Sequence, residues 1–185
     1  MRVRLVGGST GSRSLRSVRS TGTRPTSGLV RGALFGILAP HLHQPRVLDL
    51  FAGTGALGLE ALSRGAVRVD FVESNLRQCV ALRAGLRAQG HEPVTHVHWT
   101  RVERALGFLT GPYDLVVMDP PYAYAGTAAL LERIAGSALV AEEGILALEH
   151  GRRATMPDVV GDLTVLTRRR YGDTSLTIYQ HGGAN

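Results

Sequence analysis

Two groups of residues in this chain have the types and spacing to do chemistry. The first is Asp119-Pro120-Pro121-Tyr122. Asp119 can accept a hydrogen bond from an exocyclic amine. Pro120 offers a carbonyl acceptor that its ring aims rigidly, because φ is fixed. Tyr122 offers a flat face on which a base can stack, worth about 1–3 kcal/mol. Two acceptors and a stacking face suit a planar amino group attached to a base. Such a nitrogen is a poor nucleophile, since its lone pair is delocalised into the ring, and acceptors on its hydrogens localise that pair. The plain structural alternative is a rigid turn closing a strand. The second group is Gly53-x-Gly55-x-x-Gly58, preceded by Asp49 and followed by Glu73, 18 residues after Gly55. Glycines at this spacing let the backbone turn sharply and let a ligand lie against it. A carboxylate at the tip of the following strand can accept bonds from both hydroxyls of a ribose. Together they predict a site for a nucleoside-containing cofactor, with a tight strand–turn–helix connection as the bland alternative. The turn alone leaves a dinucleotide open, with its pyrophosphate on the helix N-terminus.

The elements that must hold these groups follow from periodicity. Val47 to Leu50 is a short apolar run that suits a buried strand. A helical pattern opens at Ala56 and stops at Gly65, and Val67 to Val72 forms a second strand ending at Glu73. Asn75 to Ala88 reads as a helix with Leu76, Val80, Leu82 and Leu86 inward. Next come a strand at Val94 to Trp99, a short helix at Val102 to Leu109, and a fully apolar strand at Leu115 to Met118 that delivers Asp119. A helix at Thr127 to Leu139 and a strand at Gly144 to Glu149 continue the alternation. Leu163 to Arg169 and Leu176 to Gln180 then read as a hairpin joined by Tyr171-Gly172-Asp173-Thr174. Alternating strands and helices followed by a hairpin predict a mostly parallel sheet with one antiparallel strand. Ahead of this body, Arg2 to Val6 and Ser14 to Arg19 predict a small hairpin. Thr26 or Ser27 can cap a helix with Leu29, Val30, Ala33, Leu34, Ile37 and Leu38 inward, ended by Pro40.

Composition narrows the partners. The chain has 185 residues and one cysteine, Cys79, which excludes an intrachain disulfide and makes a reducing cytoplasm the expected compartment. Cys79 sits in a helical pattern and reads as a small core residue. No run has the length to span a membrane, and the first residues lack the apolar core of a signal peptide. His41 and His43 are two apart with no third ligand nearby, so no metal is expected. Charge is unevenly placed. Residues 1–48 hold eight arginines and no acid, a segment of +8 on a body of −2, and lysine is absent throughout. Arginine presents a planar fork suited to phosphate and stacks on bases. A basic leading segment on a near-neutral body predicts a nucleic-acid partner, the alternative being a solvated basic surface. Arg2, Arg4, Arg13, Arg16, Arg24 and Arg31 are the candidate contacts.

Asp49-Leu50-Phe51-Ala52-Gly53-Thr54-Gly55 resembles the first motif of class I methyltransferases. The chain as a whole resembles the bacterial 16S rRNA guanine-N2 methyltransferases of the small-subunit methyltransferase D family. The resemblance covers the leading hairpin, Arg24-Pro25-Thr26 before a helix ending Ala33-Leu34-Phe35, Leu48 to Gly65, Asp119 to Tyr122, and Tyr171 to Thr174. It implies an α/β, Rossmann-like fold with a seven-stranded, mostly parallel sheet carrying one antiparallel strand. It divides the chain into a basic hairpin and helix at 1–40 and a methyltransferase domain at 41–185. It implies S-adenosylmethionine as cofactor and 16S rRNA, in the small ribosomal subunit or its assembly intermediate, as partner, with a monomeric, metal-free enzyme. Asp49, Phe51, Gly53 and Gly55 map to the cofactor site. Glu73 and Ser74 map to its ribose side, Val102 to its adenine side, and Asp119 borders both cofactor and base. Asp119, Pro120 and Tyr122 map to the target guanine, with Tyr122 as a stacking face.

Three departures stand out. Where the family carries Thr-Asp-Arg-Val-Arg-Glu, this chain has Ser27-Gly28-Leu29-Val30-Arg31-Gly32. Arg101 stands where an Asp or Asn usually faces the adenine amine, leaving that side to neighbouring backbone. The hairpin loop Thr10-Gly11-Ser12-Arg13 is less basic than is common. Three rival readings remain at this level. A dinucleotide oxidoreductase leaves Asp119 to Tyr122 without a purpose. Methylation of adenine N6 in DNA or RNA uses the same motif, because it recognises an amino group and not a base. A non-catalytic RNA-binding relative is compatible with the departures at 27–32 and 101.

Overall fold

The computed structural model describes residues 2–4, 14–16 and 28–182, the first two segments as backbone only. β1 (Arg2–Arg4) and β2 (Ser14–Arg16) pair antiparallel, Val3 opposite Leu15, as the expected hairpin requires. Of the loop expected at 20–28 around Pro25, with its helix cap at Thr26 or Ser27, residues 20–27 lie outside the described residues, as do Arg13, Arg19 and Arg24, and Gly28 is the first residue of the helix. Helix α1 (Gly28–Leu38) follows.

The body is one eight-stranded sheet. Its strands are β3 (Arg46–Leu50), β4 (Arg68–Glu73), β5 (Thr95–Trp99), β6 (Tyr113–Met118), β7 (Val140–Gly151), β8 (Val159–Val160), β9 (Leu163–Tyr171) and β10 (Thr174–His181). They lie in the order β5-β4-β3-β6-β7-β10-β9-β8. β3 to β7 are mutually parallel, and β10 runs antiparallel between β7 and β9. Seven strands with one reversed are as expected. The two-residue β8 extends the sheet by an eighth, antiparallel to β9. Helices α2 (Ala56–Ser63), α3 (Leu76–Ala88), α4 (Val102–Ala105) and α5 (Thr127–Ala135) connect the parallel strands. The central strands are buried on both faces, which explains their unbroken apolar runs. Val47, Val69, Phe71, Leu115 and Val117 pack with α1, α2 and α3 on one face. Leu48, Leu50, Val72, Val116 and Met118 pack with α4 and α5 on the other.

Several expected boundaries and faces shift. α5 stops at Ala135 and not Leu139, because Gly136 follows and its N–H closes the last turn on the Glu132 carbonyl. β7 starts four residues before Gly144. It bulges, with four residues between Val140 and Ile145 facing the single Asp114 between their partners on β6, and Glu143 takes φ +59°. In α3 the buried stripe is Gln78, Cys79, Leu82 and Leu86, while Leu76 and Val80 are exposed. Val80 is one step round the helix from the Cys79–Leu82–Leu86 line, and one step is 100°. Cys79 is fully buried, as its setting suggests.

α1 holds the largest correction. Leu29 is exposed, and Phe35 is buried in its place on the inward stripe. Arg31, a candidate for RNA contact, is buried. Its Nε donates to Glu60 Oε2 at 3.3 Å, with the two side chains 5% and 0% exposed. Arg64 Nε donates to the other carboxylate oxygen at 2.9 Å and its guanidinium lies over the Phe35 ring. Arg31 therefore fastens α1 to α2 and is not presented to a polyanion.

Removing one member of a buried pair leaves an uncompensated charge, at a cost of about 3–5 kcal/mol. We expect Glu60→Ala to lower stability by about this much, more than Arg64→Ala, whose side chain is partly solvated. Urea denaturation followed by circular dichroism measures both. Equal midpoints for wild type and Glu60→Ala would remove this pair as the anchor of α1.

Candidate active site

Strand order reverses on either side of β3: the chain goes from β3 to β4 on one flank and returns to β6 on the other. A crevice opens at the carboxyl ends of parallel strands at such a point. Asp49 on β3, Glu73 at the end of β4 and Asp119 just beyond β6 converge there. Leu50 pairs with both Val72 and Met118, which fixes the three strand ends at one level.

The glycine turn is held by these acids. Asp49 is 1% exposed and its Oδ2 accepts from the Gly58 N–H at 2.9 Å, in the first turn of α2. Glu73 Oε2 accepts from the Gly53 N–H at 2.8 Å and its Oε1 from the Asn75 N–H at 2.6 Å. Each carboxylate oxygen carries two lone pairs, so Glu73 keeps acceptor capacity toward the crevice. Phe51, Gly53 and Gly55 all take positive φ, +63°, +53° and +75°. A Cβ on Gly58 would stand 2.2 Å from Phe71 Cε1, so this position admits no side chain. Phe51 is the informative one: a non-glycine residue in the left-handed region is strained and tends to mark a ligand site.

Burial pushes the Asp49 carboxyl up to about 7, against the lowering effect of the Gly58 N–H, with the negative charges of Asp119 and Glu73 adding to the rise. Three carboxylates at neighbouring strand ends make a site whose repulsion a cation relieves. The sulfonium and ammonium groups of S-adenosylmethionine fit this donor set, and the pyrophosphate of a dinucleotide does not.

On the acceptor side, Pro120 is buried and Tyr122 is 55% exposed, with its ring accessible. The Tyr122 hydroxyl is 2.7 Å from Thr174 Oγ1. Thr174 opens β10 in the turn after Tyr171 and is itself buried. A stacking role alone makes phenylalanine equivalent at 122, and this bond makes it inequivalent. Tyr124 is a second residue that sequence reasoning missed. Its ring meets Phe51 edge-on at 5.1 Å, and its hydroxyl donates to Glu103 on α4. It ties the loop after Asp119 to the glycine turn and to the helix that begins at Val102. Trp99, at the tip of β5, donates Nε1 to the Ser74 carbonyl at 3.0 Å, and Ser74 Oγ lies 3.5 Å from Glu73. Val102 is buried at the start of α4, and exposed Arg101 caps that helix with backbone only. The readable signals are slight: Trp99 is an aromatic at a strand tip, and Tyr124 an aromatic in the loop that follows Asp119. Among the basic candidates, Arg2, Arg4 and Arg16 lie on the hairpin strands, apart from the buried Arg31.

A family model described as conserved hypothetical protein 95 matches residues 3–180. The Ribosomal RNA small subunit methyltransferase D of Escherichia coli (strain K12) is 30% identical over 184 residues, covering 96% of this chain and 89% of that protein. The chain belongs to this methyltransferase family. The YlbH protein of Bacillus subtilis (strain 168) is 35% identical over 185 residues, covering 98% of this chain and 100% of that protein. Among solved structures, the yhhF protein of Escherichia coli superposes with a TM-score of 0.87 at 27% identity, covering 100% of both chains. The fold is therefore the family's, hairpin included.

The position of Asp49 generates a pH prediction. A group raised from 3.8 to about 7 in the fold contributes stability that is present below its unfolded value and lost as pH rises through about 7. A bound cation favours the carboxylate and reverses the shift. Binding of S-adenosylmethionine at neutral pH should then release a proton, and affinity should rise as pH passes upward through about 7. Titration calorimetry in buffers of different ionisation enthalpy reads this directly. Asp49→Asn, which keeps an acceptor for Gly58, should abolish the release. Heats that do not depend on buffer would remove Asp49 as the linked group.

Proposed function

We propose that this protein transfers a methyl group from S-adenosylmethionine to the exocyclic N2 amine of a guanine in small-subunit rRNA. The observation that carries the reading is the placement of Asp119 to Tyr122 just beyond β6, at the same strand-end level as Asp49 on β3 and Glu73 on β4. The relatives' rRNA methyltransferase names support the substrate class. Small-subunit rRNA, as naked RNA or in an assembling particle, is then the polyanion for which the leading arginines Arg2, Arg4, Arg13, Arg16 and Arg24 are suited.

S-adenosylmethionine, when bound, supplies an electrophilic methyl on a positively charged sulfur. Glu73 and the backbone around Val102 are suited to its nucleoside half, and Asp49 with the turn from Phe51 to Gly55 to its charged half. Asp119 and the Pro120 carbonyl accept from the two amine hydrogens. This localises the nitrogen lone pair and aims it along the N–C bond to be formed. Attack on a methyl supplied by the bound cofactor, which would leave as the neutral thioether, would make the amine hydrogens more acidic. The Asp119 bond would strengthen along this path, and the proton that nitrogen loses would pass to the Asp119 carboxylate and from there to solvent. Tyr122 holds the base plane, and Thr174 holds Tyr122.

A group that binds the transition state better than the substrate lowers turnover when removed, with little effect on affinity. Asp119→Ala should cost about 100–1,000-fold in turnover and leave cofactor affinity nearly intact. Single-turnover transfer onto small-subunit particles, with mass spectrometry of the nucleosides, tests both enzyme and base. N6-methyladenosine as product would replace the guanine reading with the adenine one. Near-normal turnover by Asp119→Ala would overturn the mechanism.

The Tyr122–Thr174 bond gives a separate test. Tyr122→Phe and Thr174→Val should each lower kcat/KM for RNA by about 2–12-fold, the range for one net hydrogen bond. The double variant should lose no more than either single one. Fully additive losses would mean that the two side chains act independently.

A further inference from the structure

The methyltransferase body is slightly acidic as a whole, which hides a local excess of the opposite sign. Residues 150–175 carry five arginines against three acids. They surround the hairpin turn that grips Tyr122. Gly151, Thr174 and Tyr171 stand abreast on β7, β10 and β9, and Arg170 is opposite Ser175. The Arg152 N–H donates to the Asp173 carbonyl at 2.9 Å, fastening the turn after β7 to the tip of the hairpin. Arg152 and Arg153 thus flank the turn on one side and Arg170 on the other. All three are exposed.

Most other arginines of the fold have a partner. Arg31 and Arg64 share Glu60, Arg68 meets Asp70, Arg87 meets Glu92, and Arg168 meets Asp158. Arg83 and Arg133 each donate to a backbone carbonyl, and Arg169 is turned onto Thr167 and the Arg168 carbonyl. No hydrogen bond or ion pair engages the guanidinium groups of Arg152, Arg153 and Arg170 among the described residues. Three unneutralised forks beside the crevice form a surface complementary to phosphate.

We propose that Arg152, Arg153 and Arg170 form a second RNA-binding surface, which takes the sugar–phosphate backbone next to the target base. This rests on the RNA-substrate reading above. A base presented to Tyr122 must leave its stack, and the strand on either side must be held while it does. The leading arginines form one footing for that strand. This surface forms another, made by the hairpin that positions the stacking ring and by the turn after β7 that is fastened to its tip, so grip on the backbone and placement of the base share one corner of the sheet. None of the three was among the sequence-level contact candidates, because their neighbourhood includes Asp158, Asp162 and Asp173 and is not a basic run overall.

The test uses the full chain with Arg152→Gln, Arg153→Gln and Arg170→Gln combined, and Arg87→Gln, at the far end of α3, as control. Binding to purified small-subunit rRNA is measured across a salt series, and methyl transfer to small-subunit particles alongside it. The triple variant should bind roughly tenfold or more weakly at low salt, with a log–log salt slope shallower by about 2, since each lost phosphate contact on a single strand contributes about 0.7. KM for the particles should rise, with kcat and S-adenosylmethionine affinity unchanged, and the control should match wild type. Wild-type affinity and slope in the triple variant would overturn the proposal, as would an equal loss in the control. A wild-type protein that transfers no methyl to these particles, yet binds RNA with a slope that depends on the three arginines, would overturn the functional reading and leave this surface standing.

Discussion

Two hydrogen bonds from backbone to carboxylate, Gly58 to Asp49 and Gly53 to Glu73, hold the site together. The first ties the first turn of α2 back to β3, and the second ties the turn between β3 and α2 to the tip of the neighbouring β4. The Gly58–Asp49 bond is buried, with Asp49 almost completely so, and the Gly53–Glu73 bond is part-buried. The turn between them can therefore maintain three residues at positive φ, including Phe51, which gains nothing locally from that conformation. The cost of this arrangement is electrostatic. Burial pushes the Asp49 carboxyl up to about 7, and the negative charges of Asp119 and Glu73 add to the rise. A fold that spends stability on crowding three acids at a crevice is preorganised for a cation. Glu73 contributes twice, once by bracing the turn and once through the lone pairs it still offers.

Much of this was legible in the sequence, for identifiable reasons. Buried parallel strands are continuous apolar runs, so Val47 to Leu50 and Leu115 to Met118 were readable, and with them the positions of Asp49 and Asp119. Glycines that exclude a side chain declare themselves by their spacing, as Gly58 does against Phe71. The start of α3 was readable to within one residue, with Asn75 standing at the cap, where its side chain accepts from the Arg77 and Gln78 N–H groups. The errors have a common physical origin. Leu76 and Val80 are apolar yet solvent-facing, because hydrophobicity alone does not fix helix phase to better than one step. Arg31 is charged yet buried, because its partner Glu60 is distant in sequence and pairing across such a gap leaves no local pattern. Tyr124, Trp99 and Thr174 were missed for the same reason. Each acts through a contact between elements that only the folded chain brings together.

Arg31 changes how the basic leading segment is understood. Its guanidinium, with Arg64 and the Phe35 ring, docks α1 onto α2, and α2 is the helix whose first turn Asp49 holds. α1 shares the core of Val47, Val69 and Phe71. The helix that follows the hairpin is thus built into the packing behind the glycine turn. The part of the segment suited to a polyanion is the part before it.

The strand order explains why a C-terminal hairpin takes part in a site built by the first half of the chain. The ligand crevice lies at the carboxyl ends of the parallel strands, and connections there usually run from strand to helix. β10 is inserted antiparallel between β7 and β9, so it begins where they end. Thr174, its first residue, is therefore level with Gly151 and Tyr171 at the crevice rim. Had β10 run parallel, this rim position would have fallen to its last residue, and no tight turn could have joined it there to β9. The reversal places a rigid two-stranded turn at that rim, facing the loop after β6. A hydroxyl at the opening residue of the reversed strand can then reach the Tyr122 hydroxyl in a way no helix-linked loop is constrained to do. The reversed strand is the reason that the Tyr122 side chain has a fixed support.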